Sequence, residues 1–362
     1  MPYRSCSRSF LVCSILHRIR WLAALLELPR AFSMVKIGIA GMGYIGRTYY
    51  EAARAVPGVQ VVAAASERRQ EIQQSYPELE LFSYEDLCRD DRLDAILICL
   101  PTFLHEQFAI EAVANGRHVL CEKPLALDAN SAARMLVAAK EAGVVFMVSQ
   151  VLRFWPQYVR IQQLVSEGIL GEIRSVSAYR LAKYPPWGEW FRDPAKSGGC
   201  LLDLQVHDMD FIFWIMGHPR QVQSLGLKSS RGAWDHVITS LRYADAVASI
   251  ESSYMMPTSW PLSAGIRVAG SRGAVEYAFR SSGDVSQQGE WTEQATLYGA
   301  DGKIEQLMAE RQDVFAAQLK HFVACIENPS LTPVCPCEDS YTVMNLLSAS
   351  KQSAETAEVI RF

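Results

Sequence analysis

The chain is poor in the features that would settle its class at once. Its nine cysteines form no C-x-x-C pair, and several sit inside apolar runs such as Ile98-Cys99-Leu100. That pattern argues for reduced thiols in a cytosolic protein and against a disulfide framework or a zinc site. Cys335-Pro336-Cys337 stands too isolated for a metal or redox centre, and no metal is expected. Neither sign of charge dominates: 35 Lys and Arg face 39 Asp and Glu, for a net charge of -4, which leaves no electrostatic footprint for nucleic acid or an anionic membrane. Apolar runs are short. Phe10 to Leu16 is interrupted by His17, Arg18 and Arg20, and Trp21 to Leu28 is too brief to cross a bilayer. There is no Ser/Gly-rich linker and no internal repeat. What remains is 49% hydrophobic and 20% charged residues over 362 positions, a globular composition long enough for about two domains. A small molecule is the expected partner.

Residues 1–33 differ from the rest: five arginines oppose a single acid, Glu27, and the composition breaks at Met34. No uninterrupted apolar core with a small-residue cleavage site precedes Met34, so the segment reads as an extension outside the fold, not as a secretory leader. Val35 to Ala40 is then a β-branched strand running into a glycine-rich turn, and Tyr44 to Val56 reads as a helix. Further strands are expected at Val59 to Ala65, Ala95 to Leu100, His118 to Cys121 and Val144 to Ser149, with helices around 103–115 and 128–142. This alternation predicts a doubly wound parallel sheet over 34–152. From 153 to 338 longer strands follow at Ile173 to Leu181, Gln221 to Lys228, His236 to Arg242, Ala246 to Tyr254 and Ile266 to Ala269, with helices near 202–216 and 309–328. They predict an α+β domain with a large open, mostly antiparallel sheet. Residues 339–362 are expected to form a helix and tail packing back on the first domain.

Gly41-Met42-Gly43-Tyr44-Ile45-Gly46 matches G-x-G-x-x-G at a strand-to-helix turn. There the first glycine makes the turn, the second admits a pyrophosphate, and the third lets helix and strand pack closely. At the end of the second strand the acid that would hold an adenosine ribose is replaced by Ser66, followed by Glu67, Arg68 and Arg69. A hydroxyl beside guanidinium groups suits a 2′-phosphate and favours NADP. If Glu67 takes the ribose and the arginines are solvated, the cofactor is NAD.

Three more stretches carry a resemblance: Leu100-Pro101-Thr102-Phe103-Leu104-His105, Asn115 to Pro124 with its Glu122-Lys123-Pro124, and Gly198 to His207. With the glycine loop, in this order, they resemble the Gfo/Idh/MocA oxidoreductase family over residues 34–362. Cys200 stands where the family has a third glycine, and Ser66 where it has an aspartate. The resemblance implies that Pro101, Thr102, His105, Glu122 and Lys123 adjoin the cofactor and that Lys123, Asp203 and His207 are catalytic. A lone Lys-Pro turn or an Asp/His pair on a helix would otherwise be structural. On a helix Asp203 and His207 share a face; histidine suits proton removal from an alcohol, lysine suits a developing alkoxide, and Asp203 would orient substrate or tune both.

Arg153, Tyr158, Arg180, Trp187 and Trp190 are candidates for a polyol or sugar pocket, while Asp208 and Asp210 read as helix-surface or packing residues. The resulting expectation is an NAD(P)-dependent dehydrogenase of cyclic polyols or sugars, assembled as a homodimer or homotetramer. A cofactor-binding regulator without turnover and an NAD-dependent glycoside hydrolase are the rivals.

Overall fold

The computed structural model describes residues 34–185, 189–281 and 291–362. The expected extension over 1–33 and the candidate Trp187 lie outside the described residues. Val35–Phe362 form one compact unit containing two sheets.

The first sheet is parallel throughout. It is built from β1 (Val35–Ala40), β2 (Val59–Ala65), β3 (Glu80–Phe82), β4 (Ala95–Ile98), β5 (His118–Cys121) and β6 (Phe146–Val148), in the order β3-β2-β1-β4-β5-β6. Its strands are almost wholly apolar because both faces are covered. On one face Ile37, Ile39, Leu97 and Leu120 pack with α1 (Tyr44–Ala53) and a late helix, α9 (Val314–Glu327). On the other, Ile96, Ile98 and Val119 pack with α4 (His105–Ala114) and α5 (Ala129–Ala142). Short helices α2 (Arg69–Ser75) and α3 (Tyr84–Arg89) complete the connections. Strand order reverses between β1 and β4, so the chain leaves their carboxyl ends in opposite directions and opens a crevice there.

After a 3-10 turn at Val151–Arg153 and helix α6 (Pro156–Ser166), the second sheet has nine strands. These are β7 (Ile173–Leu181), β8 (Gln221–Lys228), β9 (Trp234–Arg242), β10 (Val247–Ser253), β11 (Leu262–Gly270), β12 (Gly273–Ser281), β13 (Trp291–Gly299), β14 (Ile304–Gln306) and β15 (Ile360–Arg361). Their order is β14-β13-β12-β11-β7-β10-β9-β8-β15. Only β7 and β10 pair in parallel. One face, with Val176, Ala178, Ala248 and Ile250, is buried. It lies against α8 (Gln205–Met216), and α10 (Cys337–Thr356) packs on α8 and β8. The other face leaves Leu225, Leu227, Ile238 and Val247 exposed. A short helix, α7 (Cys200–Asp203), precedes α8 with only Leu204 between them.

The sheets share structure through the C-terminal third. α10 packs on α5 as well as on α8 and β8, and Val148 N–H donates to Cys335 O at 3.0 Å. The expected return of the tail to the first sheet is corrected here: Ile360 and Arg361 pair with Val222 and Gln221 of β8, on the second sheet. Among the described residues no helix is long and apolar enough to cross a membrane.

Candidate active site at the carboxyl edge of the parallel sheet

The carboxyl ends of β1, β4, β5 and β6 gather Gly41, Cys99 to Thr102, Glu122-Lys123 and Ser149 along one edge, because the ladder continues one residue past each strand. Cys99 N–H donates to Ala40 O at 2.8 Å, Glu122 N–H to Ile98 O at 2.9 Å and Ser149 N–H to Cys121 O at 2.8 Å.

The glycine loop has the space its sequence pattern requires. Gly41 has φ +99, and a Cβ there would stand 2.5 Å from Cys99 O; one on Gly46 would stand 2.0 Å from Gly41 O. A Cβ on Gly43 would meet nothing within 4 Å. Gly43 is the N-cap of α1, and no side chain caps that helix start. Tyr44 and Ile45 form its first turn, half-buried. An open cradle at an uncapped helix start, beside a backbone that cannot carry side chains, fits a pyrophosphate.

At the end of β2, Ser66 Oγ accepts the Arg68 N–H at 3.2 Å, and Glu67 and Arg68 are exposed. Arg69, expected beside a 2′-phosphate, instead donates to Phe82 O at 2.7 Å and Leu81 O at 2.8 Å. It fastens the turn to β3. Arg47, directly after the third glycine and unmarked in the sequence reading, reaches this region: it donates through Nε to Met42 O at 3.2 Å and pairs with Glu71.

Pro101 and Thr102 start a 3-10 turn at Thr102–Leu104, with Thr102 buried. His105 does not face the crevice as a contact group. It is 1% exposed, and its Nδ1 and Nε2 lie 2.9 Å from Pro124 O and 2.8 Å from Leu100 O. This ring clamps the Pro101 loop to the Lys123-Pro124 loop, which corrects its expected place among the cofactor contacts. Glu122 is buried, and burial pushes its carboxyl above the ordinary range, opposed by the Lys123 charge. Its Oε2 accepts the Lys123 N–H at 3.2 Å. Oε1 is enclosed with no partner. A buried polar atom so orphaned at this edge is the kind that a bound cofactor's polar groups would satisfy.

Lys123 and Asp203 meet. Lys123 Nζ donates to Asp203 Oδ1 at 2.7 Å and to Asp203 O at 3.1 Å. Tyr254, just past β10, donates to the other oxygen, Oδ2. Its buried ring stacks on Tyr184 with centroids 4.9 Å apart, and Tyr184 hydroxyl donates to Asp235. Tyr254 went unnoticed in the sequence because nothing local marks it. His207, half-buried on α8, has an enclosed Nδ1 without a partner. Burial first, then the Lys123 and Arg180 charges, hold its pKa well below the ordinary histidine value, so it is neutral at pH 7 and able to accept a proton. Cys200 is buried, with its Sγ donating to Ser252 O at 3.4 Å.

Arg153 and Arg180 are corrections. Arg153 has a side chain 1% exposed. It grips Asp210 through two bonds of 2.9 and 2.8 Å, Asp339 at 2.6 Å and Val334 O at 2.8 Å. Arg180 is spent on Asp208 through two bonds of 3.0 Å. Each guanidinium is held by a buried carboxylate. Asp208 and Asp210 are therefore buried counter-ions and not helix-surface residues. Tyr158 is buried edge-on to Phe211 and Tyr277. Trp190 remains half-buried, stacked on Phe191 at 3.9 Å. Among the described residues no cluster of three or more His, Cys, Asp or Glu could hold a metal ion.

Comparison with known proteins gives two matches of one family: residues 35–150 match the oxidoreductase family with an NAD-binding Rossmann fold, and residues 158–276 match the GFO/IDH/MocA C-terminal domain. A D-xylose 1-dehydrogenase (NADP(+)) of Haloferax volcanii is 29% identical over 281 residues, 77% of this chain and 83% of that one. A myo-inositol 2-dehydrogenase of Thermotoga maritima is 28% identical over 187 residues, spanning 51% of this chain and 55% of its own length. In fold, the chain resembles the crystal structure of the aldose-aldose oxidoreductase of Caulobacter crescentus complexed with glycerol. Identity there is 20%, the TM-score is 0.79, and 91% of this chain and 99% of that chain are covered.

The glycine geometry separates binding from folding. Gly43→Val should leave stability within about 0.5 kcal/mol while abolishing dinucleotide binding, because the side chain fills the open cradle. Gly46→Ala should instead destabilise by about 1–3 kcal/mol, through overlap with Gly41 O. Urea denaturation and cofactor titration by fluorescence read both; a Gly43→Val protein that binds as the unmodified one does would contradict the assignment.

Proposed function

Because this chain belongs to the Gfo/Idh/MocA oxidoreductase family, an oxidoreductase group with an NAD(P)-binding Rossmann fold, we propose that it transfers hydride between a nicotinamide and a secondary alcohol or ketone of a cyclic polyol, sugar or sugar derivative. The observation that carries this reading is the Lys123–Asp203 contact at 2.7 Å beside a neutral His207, at the edge where the glycine loop opens. Relatives named for D-xylose and myo-inositol support the substrate class. Retention of all three residues argues against a cofactor-binding regulator.

When bound, the nicotinamide supplies the hydride acceptor or donor. Gly41, Gly43 and Gly46 would hold the pyrophosphate with Tyr44 and Ile45 of the first helical turn. Ser66, Glu67 and Arg68 would face the adenosine ribose, and Pro101, Thr102, Glu122 and Lys123 the nicotinamide half. His207 takes the hydroxyl proton, being neutral at working pH. The Lys123 ammonium, held in place by Asp203, donates to the reacting oxygen and stabilises its developing charge. Tyr254 fixes Asp203 from behind. Trp190 is retained as a sugar-facing candidate.

NADP is the favoured cofactor, supported by Ser66 in place of an acid and by the NADP-named relative. The exposed apolar residues on the outer face of the second sheet support pairing with another copy, as a dimer or a dimer of dimers. All described cysteines are free, which supports a cytoplasmic location.

Replacing Lys123 or His207 with alanine should lower turnover at least about 10²-fold with cofactor affinity unchanged. The depressed His207 pKa places the acid limb of the kcat/KM profile below pH 6.5 in the oxidation direction, since the neutral base persists as pH falls. Steady-state rates on a panel of inositols and aldoses test this; near-normal turnover in either variant sinks the site. Release of sugar from glycosides with no net change in nicotinamide absorbance would assign the chain to hydrolysis instead. For the cofactor, calorimetry should find NADP tighter than NAD, and Ser66→Asp should reverse the order. Light scattering at micromolar concentration should find no monomer, and a monomer refutes the sheet pairing.

A further inference from the structure

Three side chains meet beyond the end of β2, and only two of them carry positive charge. Arg47 pairs with Glu71 Oε1, and Arg68 Nη1 lies 3.4 Å from Glu71 Oε2. One carboxylate thus bridges two guanidinium groups, with Ser66 tied to the same turn through the Arg68 N–H. The other nearby cation, Arg69, is committed to the carbonyls of β3. Arg47 and Arg68 are therefore the guanidinium groups at this end of the crevice not committed to β3, and Glu71 pairs with one nitrogen of each.

We infer that Glu71 is a specificity-determining residue: its carboxylate stands in for an anion between Arg47 and Arg68 and weakens binding of a 2′-phosphorylated dinucleotide, setting how far the protein discriminates NADP from NAD. The inference rests on reading the β2 end as the site of the adenosine ribose. Two effects act in the same direction. Arg47 Nη2 and Arg68 Nη1, which a phosphate monoester between the two arginines would use, face Glu71 instead, and a phosphate carrying about -1.5 to -2 charge is repelled by the carboxylate beside it. Pre-organisation of the arginines by Glu71 opposes this weakly, because Arg47 keeps a second anchor at Met42 O, 3.2 Å away, and lies 6.0 Å over the Tyr76 ring. NAD presents only hydroxyls here and does not compete for the guanidinium groups.

The test is calorimetric titration of NADP and NAD into the unmodified protein and into Glu71→Gln, at low ionic strength. Glu71 is exposed on a short helix, so the variant keeps the fold; thermal melting confirms that. Glu71→Gln should bind NADP about tenfold tighter, the effect of removing one charge near a dianion in a solvated site, with NAD affinity unchanged. An unchanged or lower NADP affinity overturns the inference, and so does an equal gain for both dinucleotides. Tighter NAD than NADP in the unmodified protein would refute the cofactor preference alone, since the Glu71 inference is read from the change between the two proteins.

Discussion

The contact between the Lys123 ammonium and the Asp203 carboxylate is the constraint around which the molecule is arranged. The two residues are 80 positions apart, one past a strand of the parallel sheet and the other ending a short helix that leads into α8. Their meeting requires that α7 and α8 dock against the carboxyl edge of the first sheet in one register. That register is enforced elsewhere on the same helical segment. Asp208 is taken by Arg180 of β7, and Asp210 by Arg153 from the turn after β6. Sliding the helix would strand carboxylates in an apolar interior, and breaking one such buried pair costs about 3–5 kcal/mol. The buried charges are weak evidence for net stability; their effect is to make one docking geometry the only satisfied one.

Electrostatic surroundings also divide labour among the titrating groups. Glu122 and His207 are both driven toward their neutral forms by burial, while Lys123 finds a carboxylate at hydrogen-bond distance. A carboxyl shifted upward, a histidine shifted downward and a paired cation thus stand along one sheet edge, each set by its own surroundings. Tyr254 and Tyr184 extend this arrangement backward to Asp235, so the position of Asp203 is set by stacked rings as well as by Lys123.

Much of this was legible in the sequence, and the parts that were not share a cause. The glycine loop, the Glu122-Lys123-Pro124 turn and the Asp203/His207 pair are local patterns, and the structure gathers them along one edge. Strands β1, β2 and β5 were found at their bounds because each is a compact apolar run. Arg153 and Arg180 look like substrate contacts in the sequence because residue type reveals charge but not burial. Their true partners, Asp210, Asp339 and Asp208, lie 28 or more positions away. Tyr254 lies 51 positions from Asp203, and no spacing rule connects a strand end to a helix end. Strand β12 was missed although Val275 and Tyr277 alternate inward, since its glycine start and short apolar content fall below a convincing run.

The last residues of the chain act on both sheets at their margins. Cys335 and Pro336 lie along β6, and Ile360 and Arg361 lie along β8, so each sheet has one flank closed by the C-terminal region. At Gln221 and Val222 the terminus occupies backbone groups of β8 on which another strand could otherwise add. The terminus thereby denies that stretch of sheet edge to another strand, a task remote from the chemistry of the crevice.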